Sequence, residues 1–166
     1  VKYAVLRLWD EDGDGNVDLV TANHGGVGSV SVLWGTLAST YSQRTSLGIH
    51  GLGQDVCLSD VNGDGVMDIV AAANAGVGVM LGLGQRAFTS FVQFGQVATG
   101  DVAVRDFDHD GNLDIAAANN SGSCVQYWRG NGVGGFTLVA SPGTGGWEPF
   151  GLAAGDFNND GWDDLV

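Results

Sequence analysis

The stretch Asp60-Val61-Asn62-Gly63-Asp64-Gly65-Val66-Met67-Asp68-Ile69-Val70 decides how this chain is read. Oxygen-bearing side chains fall at positions 1, 3, 5 and 9 of its first nine residues. Glycine sits at position 6, and a short apolar, partly β-branched run follows. The pattern returns three times: at Asp10, Asp12, Asp14, Gly15 and Asp18; at Asp106, Asp108, Asp110, Gly111 and Asp114; and at Asp156, Asn158, Asp160, Gly161 and Asp164. The first aspartates lie 50, 46 and 50 residues apart, so the chain is an internal repeat. Fourteen of its 19 acidic residues occupy positions 1, 3, 5 or 9 of these loops. The negative charge is therefore gathered at four points.

Such a loop suits a hard cation. Calcium takes six to eight oxygen ligands, and a tight loop can aim carboxylates or amide oxygens inward from positions 1, 3 and 5. Glycine at position 6 permits the sharp turn. Position 7 can supply a backbone carbonyl, which fits its variety: Asn16, Val66, Asn112 and Trp162. Aspartate at position 9 closes the shell. The expected ligand sets are Asp10, Asp12, Asp14, Asn16 and Asp18; Asp60, Asn62, Asp64, Val66 and Asp68; Asp106, Asp108, Asp110, Asn112 and Asp114; and Asp156, Asn158, Asp160, Trp162 and Asp164. The plainer alternative is a set of solvated Asp-Gly turns. One loop could be that, but four in register favour calcium, since so many clustered carboxylates would otherwise repel.

The flanks decide which kind of calcium loop this is. An EF-hand needs glutamate at position 12 and helices on either side, whereas position 12 here is Thr21, Ala71 or Ala117. Two and four residues before each first aspartate stand Leu8 and Leu6, Leu58 and Val56, Val104 and Val102, and Ala154 and Leu152. That spacing predicts a strand with one buried face. Leu19-Val20, Ile69-Val70, Ile115-Ala116 and Leu165-Val166 begin the strand that follows, so each loop joins a hairpin. A third strand is predicted at 30–34, 77–81 and 125–128, each followed by a glycine-containing turn, and a fourth at 41–47, 88–94 and 136–140. Four antiparallel strands per repeat make the blade of an all-β propeller. The repeats run approximately over 1–48, 49–96, 97–143 and 144–166. They form a single partial propeller domain of three blades and half of a fourth.

Composition agrees. Hydrophobic residues make up 44% of the 166 and charged residues 15%, a globular balance. The net charge of -13 disfavours nucleic acid and anionic membranes as partners and favours cations. No apolar run approaches the ~20 residues of a membrane-spanning helix, so no membrane insertion is expected. The chain has no initiator methionine or signal peptide and reads as processed or excised. Cys57 and Cys124 do not amount to a disulfide framework and read as free thiols.

The loops and their following strands resemble the FG-GAP/VCBS repeats of integrin-α-like β-propellers, over the whole chain. The resemblance implies a seven-bladed propeller, calcium in the hairpin loops of several blades, and an extracellular setting, secreted or at the cell surface. It implies an adhesion or ligand-binding module, with a protein or glycan ligand on the face opposite the calcium loops. A calcium-dependent carbohydrate-binding or polysaccharide-degrading domain is the alternative. The partners expected for its open ends are further blades of a longer chain or other copies of itself.

Candidates on the opposite face are Asn23, His24, His50, Gln54, Asp55, Asn74, Gly100, Asp101, Asn119, Asn120, Ser121, Trp147 and Glu148. Trp147-Glu148, between Pro142 and Pro149, best suits a sugar, although Trp147 can equally be read as packing between blades. Trp34 and Trp128 read as core, and Trp9 and Trp162 as flanking the calcium loops. His109, at position 4 of a loop, is expected to face solvent. No nucleophile elbow, phosphate loop or dinucleotide fingerprint is present, so enzymatic activity is not expected. Asp55, Asp101 and Glu148, acidic residues outside the loops, are the only carboxylates offered for a polysaccharide-active pair.

Overall fold

The computed structural model describes residues 4–38, 40–96, 99–146 and 148–166. It contains strands and turns, and no helix among the described residues; none is therefore long and apolar enough to cross a membrane. The first sheet runs β1 (Ala4–Trp9), β2 (Asp18–Asn23), β3 (Ser29–Trp34) and β4 (Gln43–Gly48). The second runs β5 (Gly53–Ser59), β6 (Asp68–Ala73), β7 (Gly76–Met80) and β8 (Val92–Gln93). The third runs β9 (Thr99–Arg105), β10 (Asp114–Asn119), β11 (Cys124–Gly130) and β12 (Phe136–Ala140). A two-stranded hairpin, β13 (Ala154–Gly155) and β14 (Asp164–Leu165), begins a fourth unit. Every neighbouring pair is antiparallel. These are the blades of a β-propeller, three in full and one begun.

The cores lie between blades. Strand β6 divides its side chains with the two-residue period of a strand. Ile69, Ala71 and Ala73 join Val20, Ala22, Val30, Val32 and Trp34 of the first blade. Val70 and Ala72 join Val102, Val104, Ile115, Ala117 and Trp128 of the third. Alanine on both faces keeps the sheets close. Trp34 and Trp128 are core residues, as expected. Trp34 stacks on Phe88 and donates from Nε1 to Thr45 Oγ1 at 2.9 Å.

The fourth strand of the second blade departs from expectation. Instead of a continuous strand over 88–94, only Val92 and Gln93 pair regularly, with an isolated bridge between Gly82 and Phe88. Phe88 and Phe91 both turn toward the core between the first two blades. Residues three apart fall on opposite faces of a strand, so the chain must leave the extended path between them. A turn of three left-handed residues, Gly84, Gln85 and Arg86, precedes this segment.

Candidate metal centres in the strand-connecting loops

The four loops share one hydrogen-bond pattern. The position-1 carboxylate accepts from the position-6 glycine: Gly15 N to Asp10 Oδ2 at 2.9 Å, Gly65 to Asp60 at 2.8 Å, Gly111 to Asp106 at 3.0 Å and Gly161 to Asp156 at 3.0 Å. The position-3 side chain accepts from the amide of position 5, and position 5 from that of position 7. The position-6 glycines have φ between +85° and +91°, a region costly for any other residue. Position 4 also needs a left-handed backbone, met by Gly13, Gly63, His109 and Asn159.

Position 9 has a second role that the spacing did not reveal. Asp18, Asp68 and Asp114 are fully buried. Their Oδ2 atoms accept from the position-2 amides of Glu11 (2.9 Å), Val61 (2.9 Å) and Phe107 (3.1 Å). Their Oδ1 atoms accept from Gly35 (2.6 Å), Gly82 (2.8 Å) and Gly130 (2.8 Å), which end the third strand of their blades or lie within two residues of its end. Each carboxylate thus ties the acidic loop to the rest of its own blade. A side chain at Gly35, Gly82 or Gly130 would run into the carbonyl oxygen of Val17, Met67 or Leu113. The signal for these three residues was a glycine recurring just beyond each third strand.

In the first and third loops the carboxylates converge. One oxygen from each of Asp10, Asp12 and Asp18 lies within 4.8 Å of the others, and Asp106, Asp108 and Asp114 repeat the arrangement. The second and fourth loops carry Asn62 and Asn158 at position 3, whose amides donate to Asp64 Oδ2 (2.9 Å) and Asp160 Oδ2 (3.0 Å). The donor set is all oxygen, which suits a hard cation. Asp10 Oδ1 is buried and has no hydrogen-bond partner, as a ligand atom would be. The residues present therefore fit a metal ion.

The local field is strongly negative. Burial, then the charges of Asp18, Asp68 and Asp12, push Glu11 up to about 8. Burial also raises Asp68. Asp14, by contrast, is held below the usual carboxylate range by the Asn16 backbone and side-chain donors. His109 is exposed, as expected, but not isolated: its ring stacks on Trp162 of the next loop at 4.2 Å and 8°.

A family model described as the FG-GAP-like repeat matches residues 10–71, 60–117 and 106–166, covering all four loops. The chain belongs to this family. A chain of the Tc holotoxin pore of Photorhabdus luminescens is similar in fold, with a TM-score of 0.53 and 19% identity. The match covers 96% of this FG-GAP-like chain but 8% of that one, so it speaks to the fold alone. No curated protein matches the chain.

On the opposite side of this FG-GAP-like chain, several candidate amides are engaged in turns and blade contacts. Asn119 Oδ1 accepts from Gly122 N and Ser121 Oγ, and its amide reaches Cys124 Sγ. Asn74 Oδ1 accepts from Leu52 N at 2.7 Å. His24 Nδ1 lies 3.0 Å from Gln54 Nε2, joining the first blade to the second. Asn120 Oδ1 is buried without a partner, beside Gly100. Glu148 is exposed, and Trp147 lies outside the described residues. His24 follows the second strand of the first blade, whereas Asn119 and Asn120 lie at the end of the second strand of the third. Cys57 and Cys124 are free thiols.

Asp55 and Asp101 do meet, on the first strands of the second and third blades. Val102 N donates to Asp55 Oδ2 (3.2 Å) and Asp101 Oδ1 (2.9 Å). Arg7 of the first blade holds Asp55 at 2.9 Å, and Leu152 N of the fourth donates to Asp101 at 2.9 Å. The pair thus strings four successive blades together. Burial and the neighbouring Asp101 raise Asp55 to about 7, while hydrogen bonds from Asp55, Leu152 and Val102 lower Asp101 against its burial.

Proposed function

We propose that this is a calcium-stabilised, extracellular β-propeller module whose role is adhesion or ligand binding. The observations that carry the calcium assignment are the convergence of Asp10, Asp12 and Asp18, repeated by Asp106, Asp108 and Asp114, and, in the first loop, the buried and unpartnered Asp10 Oδ1. Asp10, Asp12, Asp14 and Asp18 would hold the ion in the first loop, and their counterparts would do so in the other three. Bound calcium supplies charge neutralisation, which stiffens the hairpin. An affinity of about 10⁻⁴–10⁻³ M would suit extracellular calcium. The chain's own residues set the loop shape before any ion arrives, through the position-6 glycines and the buried position-9 carboxylates.

The same reading places a protein or glycan ligand on the face opposite the loops, near Asn120 and Glu148. It gives the chain no catalytic role, since Asp55 and Asp101 are engaged with Arg7 and with backbone amides of neighbouring blades. Exposed Leu6, Leu8 and Trp9 on one side and Phe150, Phe157 and Trp162 on the other support further blades, or other copies, at both ends. Calorimetric titration and thermal unfolding test the calcium assignment together. About four calcium ions per chain and a higher unfolding temperature in calcium than in chelator are expected. Absence of binding, or an unfolding temperature indifferent to calcium, overturns it.

A further inference from the structure

The position-3 residue divides the loops into two classes, and arginine follows the division. In the first loop Arg86 Nε meets Asp12 Oδ2 at 2.5 Å, and its Nη2 lies 3.4 Å from Asp14 Oδ2. In the third loop Arg129 Nε meets Asp108 Oδ2 at 2.6 Å. The second and fourth loops have asparagine at position 3, and no arginine pairs with that position among the described residues. Over positions 1, 3, 5 and 9, four carboxylates with one guanidinium alternate with three carboxylates. Counted over those positions each loop reaches the same net charge; Glu11 of the first loop and Asp163 of the fourth, the latter 3.7 Å from Arg105 Nε, come in addition.

The two arginines arrive differently. Arg129 lies on β11, in the same blade as Asp108. Arg86 comes from the β7–β8 connection of the second blade and reaches into the first. There its Nη1 donates to Gln43 Oε1 at 2.6 Å, and its guanidinium lies 5.1 Å from the centre of the Trp34 ring. Arg86 holds φ at +66°, a region costly for a residue with a side chain. The Asp12 side chain it grips is only 9% exposed.

We infer that Arg86 is the built-in counter-charge of the first loop, supplied by the next blade, and that cation binding in this loop is coupled to the packing of the second blade on the first. The inference rests on the calcium reading above. A guanidinium held against Asp12 and Asp14 neutralises part of the charge that a calcium ion would neutralise. It therefore steadies the metal-free loop and weakens the affinity for the ion. By linkage, calcium weakens Arg86's hold on the first blade by the same factor. The third loop, with its arginine in the same blade, lacks this coupling.

The test compares Arg86→Gln, Arg86→Lys and the double variant Arg86→Gln/Asp12→Asn, which gives the first loop the position-3 chemistry of the second. Each is titrated with calcium and unfolded with and without chelator. Arg86→Gln should bind the same number of ions, with one site tighter by about three- to tenfold, the size expected for removing a unit charge near a divalent ion. Its unfolding temperature should fall more in chelator than in calcium. Arg86→Lys keeps the charge and should stay near the parent affinity. The double variant should return the affinity to within about threefold of the parent and recover part of the metal-free stability, because it removes one negative charge along with the positive one. Unchanged or weaker binding in Arg86→Gln overturns the inference, as does a double variant that rescues neither property. If the parent chain binds no calcium, the calcium reading falls instead. The counter-charge role then stands or falls on whether Asp12→Asn rescues the metal-free stability of Arg86→Gln.

Discussion

Strands β2 and β6 occupy the same place in successive blades, yet they live in different surroundings. Every residue of β6 is buried, whereas β2 alternates between buried and half-buried. Val20 and Ala22 face the second blade and are buried; Leu19, Thr21 and Asn23 face away from it and are not. The first strands tell the same story. Val102 and Val104 are 5% and 3% exposed against the second blade, while Leu6 and Leu8, at the equivalent positions, are 52% and 62% exposed. One pattern in the sequence therefore gives two outcomes. A blade's own hydrogen bonds specify its strands, but a neighbouring blade is needed to bury its faces.

The largest expected difference follows directly. Ile69→Ala opens a cavity between two packed sheets and should cost about 2–5 kcal/mol. Leu19→Ala, at the equivalent half-buried position, should cost less than half as much. Urea unfolding of the two variants measures both, and equal losses would break the contrast.

The buried position-9 carboxylates should show no such contrast, because the amides they accept from lie inside their own blade. Asp18→Ala and Asp68→Ala each leave two backbone amides without a charged acceptor. Each should cost about 3 kcal/mol, even in chelator, where loss of the ion contributes nothing. A difference of more than about 1 kcal/mol between them would show that the neighbouring blade acts on these position-9 bonds as well.

A smaller effect belongs to the sandwiched blade alone. Asp55 has no acidic counterpart in the first blade, where Val5 occupies the place. A carboxyl raised to about 7 on folding favours the native state while it is protonated. That stability is full below the ordinary carboxylate range and is lost as pH rises through about 7. Asp101, held low, titrates below this window, with the opposite slope. Relative to Asp55→Asn, the parent chain should therefore lose stability between about pH 4 and pH 7. Parallel stability profiles for the two proteins would refute the assignment.

Much of the loop was legible because its determinants are local. Nine consecutive residues carry the carboxylate spacing, the left-handed glycine and the amides that bond to them. The hairpin strands were legible through their two-residue period. Less local features were hidden. The fourth strand of the second blade was misread because Phe88 and Phe91 answer to a core built by the blade before them. His109 was expected to face solvent; it is exposed but also stacks on Trp162, a partner 53 residues away. The meeting of Asp55 and Asp101 could not be read from spacing, since it depends on how two blades sit together.

By itself, the sequence determined a repeated hairpin with an acidic loop, four strands to a blade, and a charge pattern suited to cations. Those properties rest on backbone conformations and hydrogen bonds that close within a few residues or between adjacent strands. Only the tertiary structure decided which apolar faces are covered, which aspartate oxygens are taken by an arginine, and which blade supplies that arginine. Arg86 and Asp12 are 74 residues apart. Their meeting depends on the packing angle between two sheets, and burial, unlike hydrogen bonding within a strand pair, is a property of neighbours that no single repeat contains.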